Sequence, residues 1–147
     1  MDFQTTLFDP PTAGVGDLDA LLVRRELTEG AWIDVARTWL SAPDDVFTTL
    51  LDTVPWRTER RQMYDRPVDI PRLTYTYMIG EELPHPLLTD AREALSAHYA
   101  DELGEPFRTA GCCYYRSGRD SVAWHGDTIG RGASIDTMVA IVSLGDP

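Results

Sequence analysis

Residues 107 to 127 constrain the fold of this chain more than any other stretch. Phe107 to Arg116 reads as a strand, Ser117-Gly118-Arg119-Asp120 as a tight turn, and Ser121 to Asp127 as a strand coming back. The returning strand ends in His125-Gly126-Asp127, an imidazole and a carboxylate two positions apart. On extended backbone, side chains at i and i+2 share a face, so both can reach one ion. A neutral imidazole with a carboxylate suits Fe(II), and two histidines with one carboxylate form the facial triad of non-haem iron chemistry. The spacing alone carries little. Three histidines and sixteen aspartates among 147 residues give such a triplet by chance roughly one third of the time.

The rest of the chain supplies sheets and two helices. Residues 1–17, with Pro10-Pro11 and breaks at Gly14, Gly16 and Asp17, read as a loosely structured lead-in to one domain over 18–147. Val23 to Leu27 and Ala31 to Leu40 read as strands around a Thr28-Glu29-Gly30 turn. Ser41 as capping residue, Pro43 and the acids behind it start a helix whose apolar stripe is Val46, Phe47, Leu50, Leu51 and Val54, and Pro55 stops it. Trp56 to Tyr64 and Arg72 to Met78 are strands linked through Pro67 and Pro71. A second helix runs from Leu87 to Leu103, capped by Gly104, with Leu88, Ala91, Leu95, His98 and Tyr99 along one side. His98 is therefore expected as a hydrogen-bonded core histidine, and His85, between two prolines, as a surface loop residue. Ile135 to Leu144 has the pattern of a buried strand. The expected class is α+β, mainly β: a sandwich or jelly roll, incomplete within these residues, with the two helices packed outside.

Composition excludes several function classes. No apolar run approaches the length of a membrane span, and no basic region followed by an apolar core opens the chain, so a cytoplasmic monomer without membrane contact is expected. Cys112 and Cys113 are neighbours, which on a strand point to opposite faces, so two free thiols are expected. Net charge is −11 and all thirteen basic residues are arginine, which argues against broad adhesion to nucleic acid. The charge is uneven, however. Between Arg57 and Arg72 five arginines face only Glu59, Asp65 and Asp69, a local net of +2 that leaves −13 for the remainder. Such a strip can hold one nucleic-acid strand, or it can be an exposed strand solvated by charge. Leu73, Tyr75 and Tyr77 share one face of their strand, a pattern that fits base stacking and equally fits a half-buried strand.

Taken together, Tyr114-Tyr115-Arg116-Ser117-Gly118-Arg119-Asp120-Ser121-Val122-Ala123-Trp124-His125-Gly126-Asp127 and Ile141-Val142-Ser143-Leu144-Gly145 resemble the AlkB family of Fe(II)- and 2-oxoglutarate-dependent dioxygenases. Pro55-Trp56-Arg57, Met63-Tyr64 and Pro71-Arg72-Leu73-Thr74 resemble that family's substrate-facing segment, so the likeness spans residues 20 to 147. The resemblance implies a double-stranded β-helix that uses Fe(II), 2-oxoglutarate and O2 to remove alkyl groups from bases in single- or double-stranded nucleic acid, after the base is taken out of its stack. It implies His125 and Asp127 as iron ligands and catalytic residues, and Tyr115 as a hydrogen-bonding partner of 2-oxoglutarate. Arg60, Arg61, Tyr64, Tyr75 and Tyr77 fall where the family holds the base and its phosphates. Trp124, alternating with His125, is expected to pack.

The sequence departs from the family at three places. Cys113 stands at the cosubstrate-facing position where the family usually has asparagine, and a thiol offers fewer hydrogen bonds. Ile129 stands where many base-repairing members have a second carboxylate. The family's second iron-binding histidine and its 2-oxoglutarate arginine fall downstream of residue 147, so the expectation is a piece of a longer protein carrying the N-terminal part of the domain. Other readings fit the same residues: a non-catalytic nucleic-acid-binding module using the arginine strip, a truncated and inactive AlkB-like protein, and a hydroxylase of protein or lipid.

Overall fold

The computed structural model describes residues 14–63, 65–125 and 138–146. It is α+β, with four helices and two antiparallel sheets that form no closed barrel among the described residues. The first sheet pairs β1 (Leu22–Glu26) with β2 (Trp32–Ala36), and the short helix α1 (Leu18–Leu21) leads into it. Between the strands Glu29 (φ 60°) and Gly30 (φ 78°) both take left-handed backbone, so the expected Thr28-Glu29-Gly30 turn is present. β2 ends sooner than its sequence pattern suggests. Thr38, at φ 54°, turns the chain before Trp39.

Residues 14–17 are not loose. Val15 bridges Leu40, the Gly16 N–H donates to the Trp39 carbonyl at 2.8 Å, and the Trp39 indole N–H returns a bond to the Gly16 carbonyl at 2.9 Å. A Cβ on Gly16 would lie 3.0 Å from Leu21 Cδ1 and 3.2 Å from the Trp39 carbonyl oxygen, so a larger residue there would push these tightly closed segments apart by a few tenths of an ångström. Ser41 belongs to the same staple. Its hydroxyl accepts from the Gly14 N–H at 2.7 Å instead of capping the next helix, α2 (Pro43–Thr53), whose N-cap is Ala42.

The second sheet has the order β3-β4-β5, with β3 (Arg57–Met63), β4 (Arg66–Tyr77) and β5 (Ala110–Tyr114). β4 is one strand of 12 residues running through both prolines. Proline removes a ladder donor and is ordinarily excluded from central strands. Here Pro67 faces Gln62 on β3 beyond the end of the β5 pairing, and Pro71 falls in the register shift between Thr58 and Arg60, so neither interrupts a double ladder.

The helix α3 (Pro86–His98) joins two cores. Ala91, Ala94 and Leu95 pack with Leu18, Trp39, Leu22 and Ala36, whereas Leu88 packs with Val54, Tyr77 and Leu83 under the second sheet. The expected stripe of Leu88, Ala91 and Leu95 is thus the buried face, and α3 serves both cores instead of covering one from outside. α4 (Ala100–Leu103) follows after a break at Tyr99 and ends on Gly104 at φ 73°, the left-handed cap that glycine favours.

The two histidines exchange their expected places. His98 lies at the helix surface with Nδ1 2.9 Å from Asp19 Oδ1, while His85 is largely covered and caps α3 by accepting the Leu87 N–H at 3.0 Å. Tyr99 takes the inward position at that end. Its hydroxyl donates to Asp34 Oδ2 at 2.8 Å, and Asp34 also receives two 2.8 Å bonds from Arg24. Arg24 reaches on to Glu102 and lies 3.8 Å over the Trp32 ring, tying β1, β2 and α4 together. The Arg24 guanidinium and the Tyr99 hydroxyl hold the Asp34 carboxyl below the usual carboxylate range, against the opposing effect of desolvation. Burial and the bond to Asp34 raise the Tyr99 phenol.

Candidate active site and nucleic-acid face

β5 lies beside β4 with Leu73 opposite Tyr114, Thr74 opposite Cys113 and Tyr75 opposite Cys112. Directly opposed residues share a face. One face of the sheet is therefore Tyr75, Tyr77, Ala110 and Cys112, packed into the second core, and the other carries Thr74 and the exposed Cys113. The two thiols are free and point apart, as their adjacency predicts. Burial pushes the Cys112 thiol up. Tyr115, two residues beyond Cys113, is 45% exposed.

Beyond Tyr115 the chain turns, but not into a hairpin. The Asp120 N–H bonds the Ser117 carbonyl at 3.0 Å, closing the expected tight turn. The Asp120 carboxylate then accepts from the Arg116 backbone N–H at 2.9 Å and from its guanidinium at 2.7 and 2.9 Å. A returning strand would need that N–H for its own ladder. With it consumed, residues 121–125 form no strand, contrary to the sequence pattern. They dock on β4 instead: the Ser121 N–H donates to the Pro71 carbonyl at 2.8 Å, and Arg72 Nη1 donates to the Ser121 carbonyl at 3.1 Å. Pro71 can accept there because its stretch of β4 has no β5 partner.

The Arg116 guanidinium and N–H hold the Asp120 carboxyl at about 2. Because that pKa is depressed, the stabilisation it brings is complete above the ordinary carboxylate value and is lost as pH falls toward 2. Asp120→Ala is expected to speed amide hydrogen exchange at Arg116 and Ser121 while leaving the unfolding midpoint nearly unchanged. Unaltered exchange at both would show that the turn is held by something else.

His125 is exposed at the end of this docked segment, and its Nδ1 lies 2.7 Å from the Ala123 carbonyl oxygen. A carbonyl only accepts, so Nδ1 donates there, and ligation of a metal would fall to Nε2. Asp127, the expected second ligand, lies outside the described residues, as does Tyr64. Among the described residues no group of three or more His, Cys, Asp and Glu side chains is arranged to hold a metal ion.

The other expected residues divide. Tyr77 is buried in the second core, its ring 4.8 Å from Tyr75 and edge-on to it, so Tyr77 is packing and not a base-stacking surface. Tyr75 helps close that core, with the Arg57 guanidinium 5.4 Å from its ring centroid. Arg60 and Arg61 are exposed on β3, but as strand neighbours they project to opposite faces, and Arg60 is paired with Asp69 at 2.7 Å. The strip is thus an exposed hairpin rather than one continuous cationic face. Arg72 was not singled out, yet it bridges β4 to the histidine segment; its place in the Pro71-Arg72-Leu73-Thr74 run was the available signal. Trp124, expected to pack, is fully exposed. The described part of the expected strand at 135–144 also forms no strand, although Val142 packs in the first core and Gly145 approaches the Phe47 ring.

Among the described residues, the open groove beside α3, enclosing about 490 Å³ and lined by Ile79, Arg92, Ser96, Phe107 and Arg108, includes none of the expected residues. No helix among the described residues is long and apolar enough to cross a membrane. Neither family models, nor curated proteins, nor solved structures provided a match to this chain.

Proposed function

We propose that this chain belongs to an AlkB-like dioxygenase domain of the double-stranded β-helix kind, which oxidatively removes alkyl groups from nucleic-acid bases using Fe(II), 2-oxoglutarate and O2. The observation that carries this reading is the docking of the histidine segment on β4. Two hydrogen bonds, Ser121 to Pro71 and Arg72 to Ser121, hold the motif residues against the strand whose other end forms the arginine hairpin. A chemistry-bearing segment and a phosphate-attracting element are then both attached to β4.

His125, with Nδ1 engaged by the Ala123 carbonyl, and the Asp127 carboxylate would hold the iron. Tyr115 and Cys113 would face the 2-oxoglutarate, the exposed hydroxyl donating and the thiol contributing weakly. When bound, the metal would activate O2 at the expense of 2-oxoglutarate, which is oxidised to succinate and CO2, and so supply the oxidant for an N-alkyl carbon. The exposed Arg57 and Arg61 draw the phosphate backbone toward the site by charge, against an otherwise acidic body.

Joined to the second histidine and the arginine that the resemblance implies, these residues are expected to release formaldehyde and succinate together from an N-methylated oligonucleotide with Fe(II), 2-oxoglutarate and O2. Formaldehyde absent while iron is demonstrably bound overturns the reading. In a Mn(II) titration, His125→Ala is expected to weaken binding by roughly tenfold or more. Salt-dependent oligonucleotide binding that ignores metal and cosubstrate would select a non-catalytic module instead.

A further inference from the structure

The run Pro84-His85-Pro86 leaves His85 little choice of backbone. A residue before proline is pushed out of the helical region, and proline itself suits the first helical position. His85 is accordingly extended (φ −144°, ψ 136°) and becomes the N-cap of α3, a place usually taken by Ser, Thr, Asp or Asn. Its Nδ1 accepts the Leu87 N–H at 3.0 Å, and its Nε2 lies 3.5 Å from Asp45 Oδ2 in the first turn of α2. An imidazole nitrogen accepts only when it bears no proton. Nδ1 is therefore bare, and the ring's proton sits on Nε2, facing Asp45.

One further proton undoes that arrangement. Asp17, which caps α1, keeps an acceptor oxygen even when its carboxyl is protonated. Imidazolium keeps none: both ring nitrogens then donate, and no rotation of the ring restores the bond to Leu87. The cation would also stand at the positive end of the α3 dipole. Asp45 favours the added charge from α2, but its side chain is 72% exposed, so water screens the attraction. Among the described residues no other charged side chain pairs with the ring. The turn held by this cap is also a turn of the core. Leu87 is 1% exposed, and Leu88, whose N–H bonds the His85 carbonyl at 3.0 Å, packs against Val54, Tyr77 and Leu83.

We propose that His85 is a proton-operated cap, which closes the first turn of α3 beside α2 when neutral and releases that turn when protonated. The cap is complete above the ordinary imidazole value of about 6.5 and is lost as pH falls on its acid side. Acidification then loosens the second core at the joint between α2 and α3, with the sheet that bears β4 resting on it.

The test is amide hydrogen exchange followed by NMR at pH 8 and pH 5, each rate divided into the intrinsic rate at that pH, together with long-range nitrogen–proton spectra of the imidazole. At pH 8 the proton is expected on Nε2 and not on Nδ1. Protection of the Leu87 and Leu88 amides is expected to fall roughly 2- to 30-fold on going to pH 5, the range that loss of a helix cap spans. His85→Asn keeps an acceptor that does not titrate, so its protection at these amides is expected to be the same at both values. His85→Ala is expected to show the low protection at both. A proton on Nδ1 at pH 8 overturns the proposal. Wild-type protection that is equal at the two pH values overturns it, and so does a His85→Asn protein that loses protection with acid as wild type does.

Discussion

Leu87→Ala is expected to cost about 2–5 kcal/mol of folding stability, the range for emptying a fully buried leucine position. Leu87 is 1% exposed in the first turn of α3, one residue from Leu88 in the second core and four from Ala91 in the first. Both cores meet on this helix, so a cavity there loosens the sheet that bears β4 as well as the one formed by β1 and β2. Equilibrium unfolding in urea should show a lower midpoint with a similar slope. For a chain of this length each kcal/mol corresponds to roughly 2–4 °C in melting temperature. A loss below about 1 kcal/mol would mean that the site collapses freely, and that α3 is not the shared wall between the cores.

Asp34→Ala is expected to act almost as strongly, through polar groups. It leaves the buried Tyr99 hydroxyl without its acceptor, which costs about 1–3 kcal/mol for an unsatisfied group, and it removes the carboxylate between Arg24 and α4. The same cluster predicts a two-sided pH dependence. The folded pKa of Asp34 is depressed, so its contribution is complete above the ordinary carboxylate range and is lost as pH falls below about 4. That of Tyr99 is raised, so its contribution is complete below the ordinary phenol value and is lost as pH rises past about 10. Asp34→Asn keeps an oxygen acceptor for Tyr99 while removing the charge. Stability measured from pH 3 to 7 should therefore fall less steeply with acid in that variant than in wild type, and parallel curves would remove Asp34 from the account.

Much of the secondary structure was legible because its signals are local. The left-handed Glu29 and Gly30, the stripe of Val46, Leu50 and Val54, the cap at Gly104 and the turn closed by Asp120 each follow from a few neighbouring residues. The divided loyalties of Cys112 and Cys113 were readable for the same reason, since alternation on a strand needs no knowledge of the partner strand. Where sequence reading failed, a distant group had intervened. Ser41 is a plausible helix cap until Gly14 claims its hydroxyl, and His98 lies on an apolar stripe until Tyr99 takes the inward place and Asp19 holds the imidazole at the surface. Residues 121–125 alternate like a strand, but Asp120 occupies the N–H that a hairpin would use.

The candidate site divides in the same way. From sequence alone come the His-Gly-Asp spacing, the turn in front of it, the exposed character of the arginine-rich stretch and the acidic remainder. Only the tertiary structure decided that Tyr77 is core, that Trp124 is bare, that Arg60 is paired with Asp69, and that the histidine segment rests on Pro71 and Arg72. The physical reason is range. Backbone preference and side-chain alternation are written within a few residues, whereas burial and hydrogen-bond ownership are competitions among segments up to 78 positions apart, as the Arg24 to Glu102 pair illustrates.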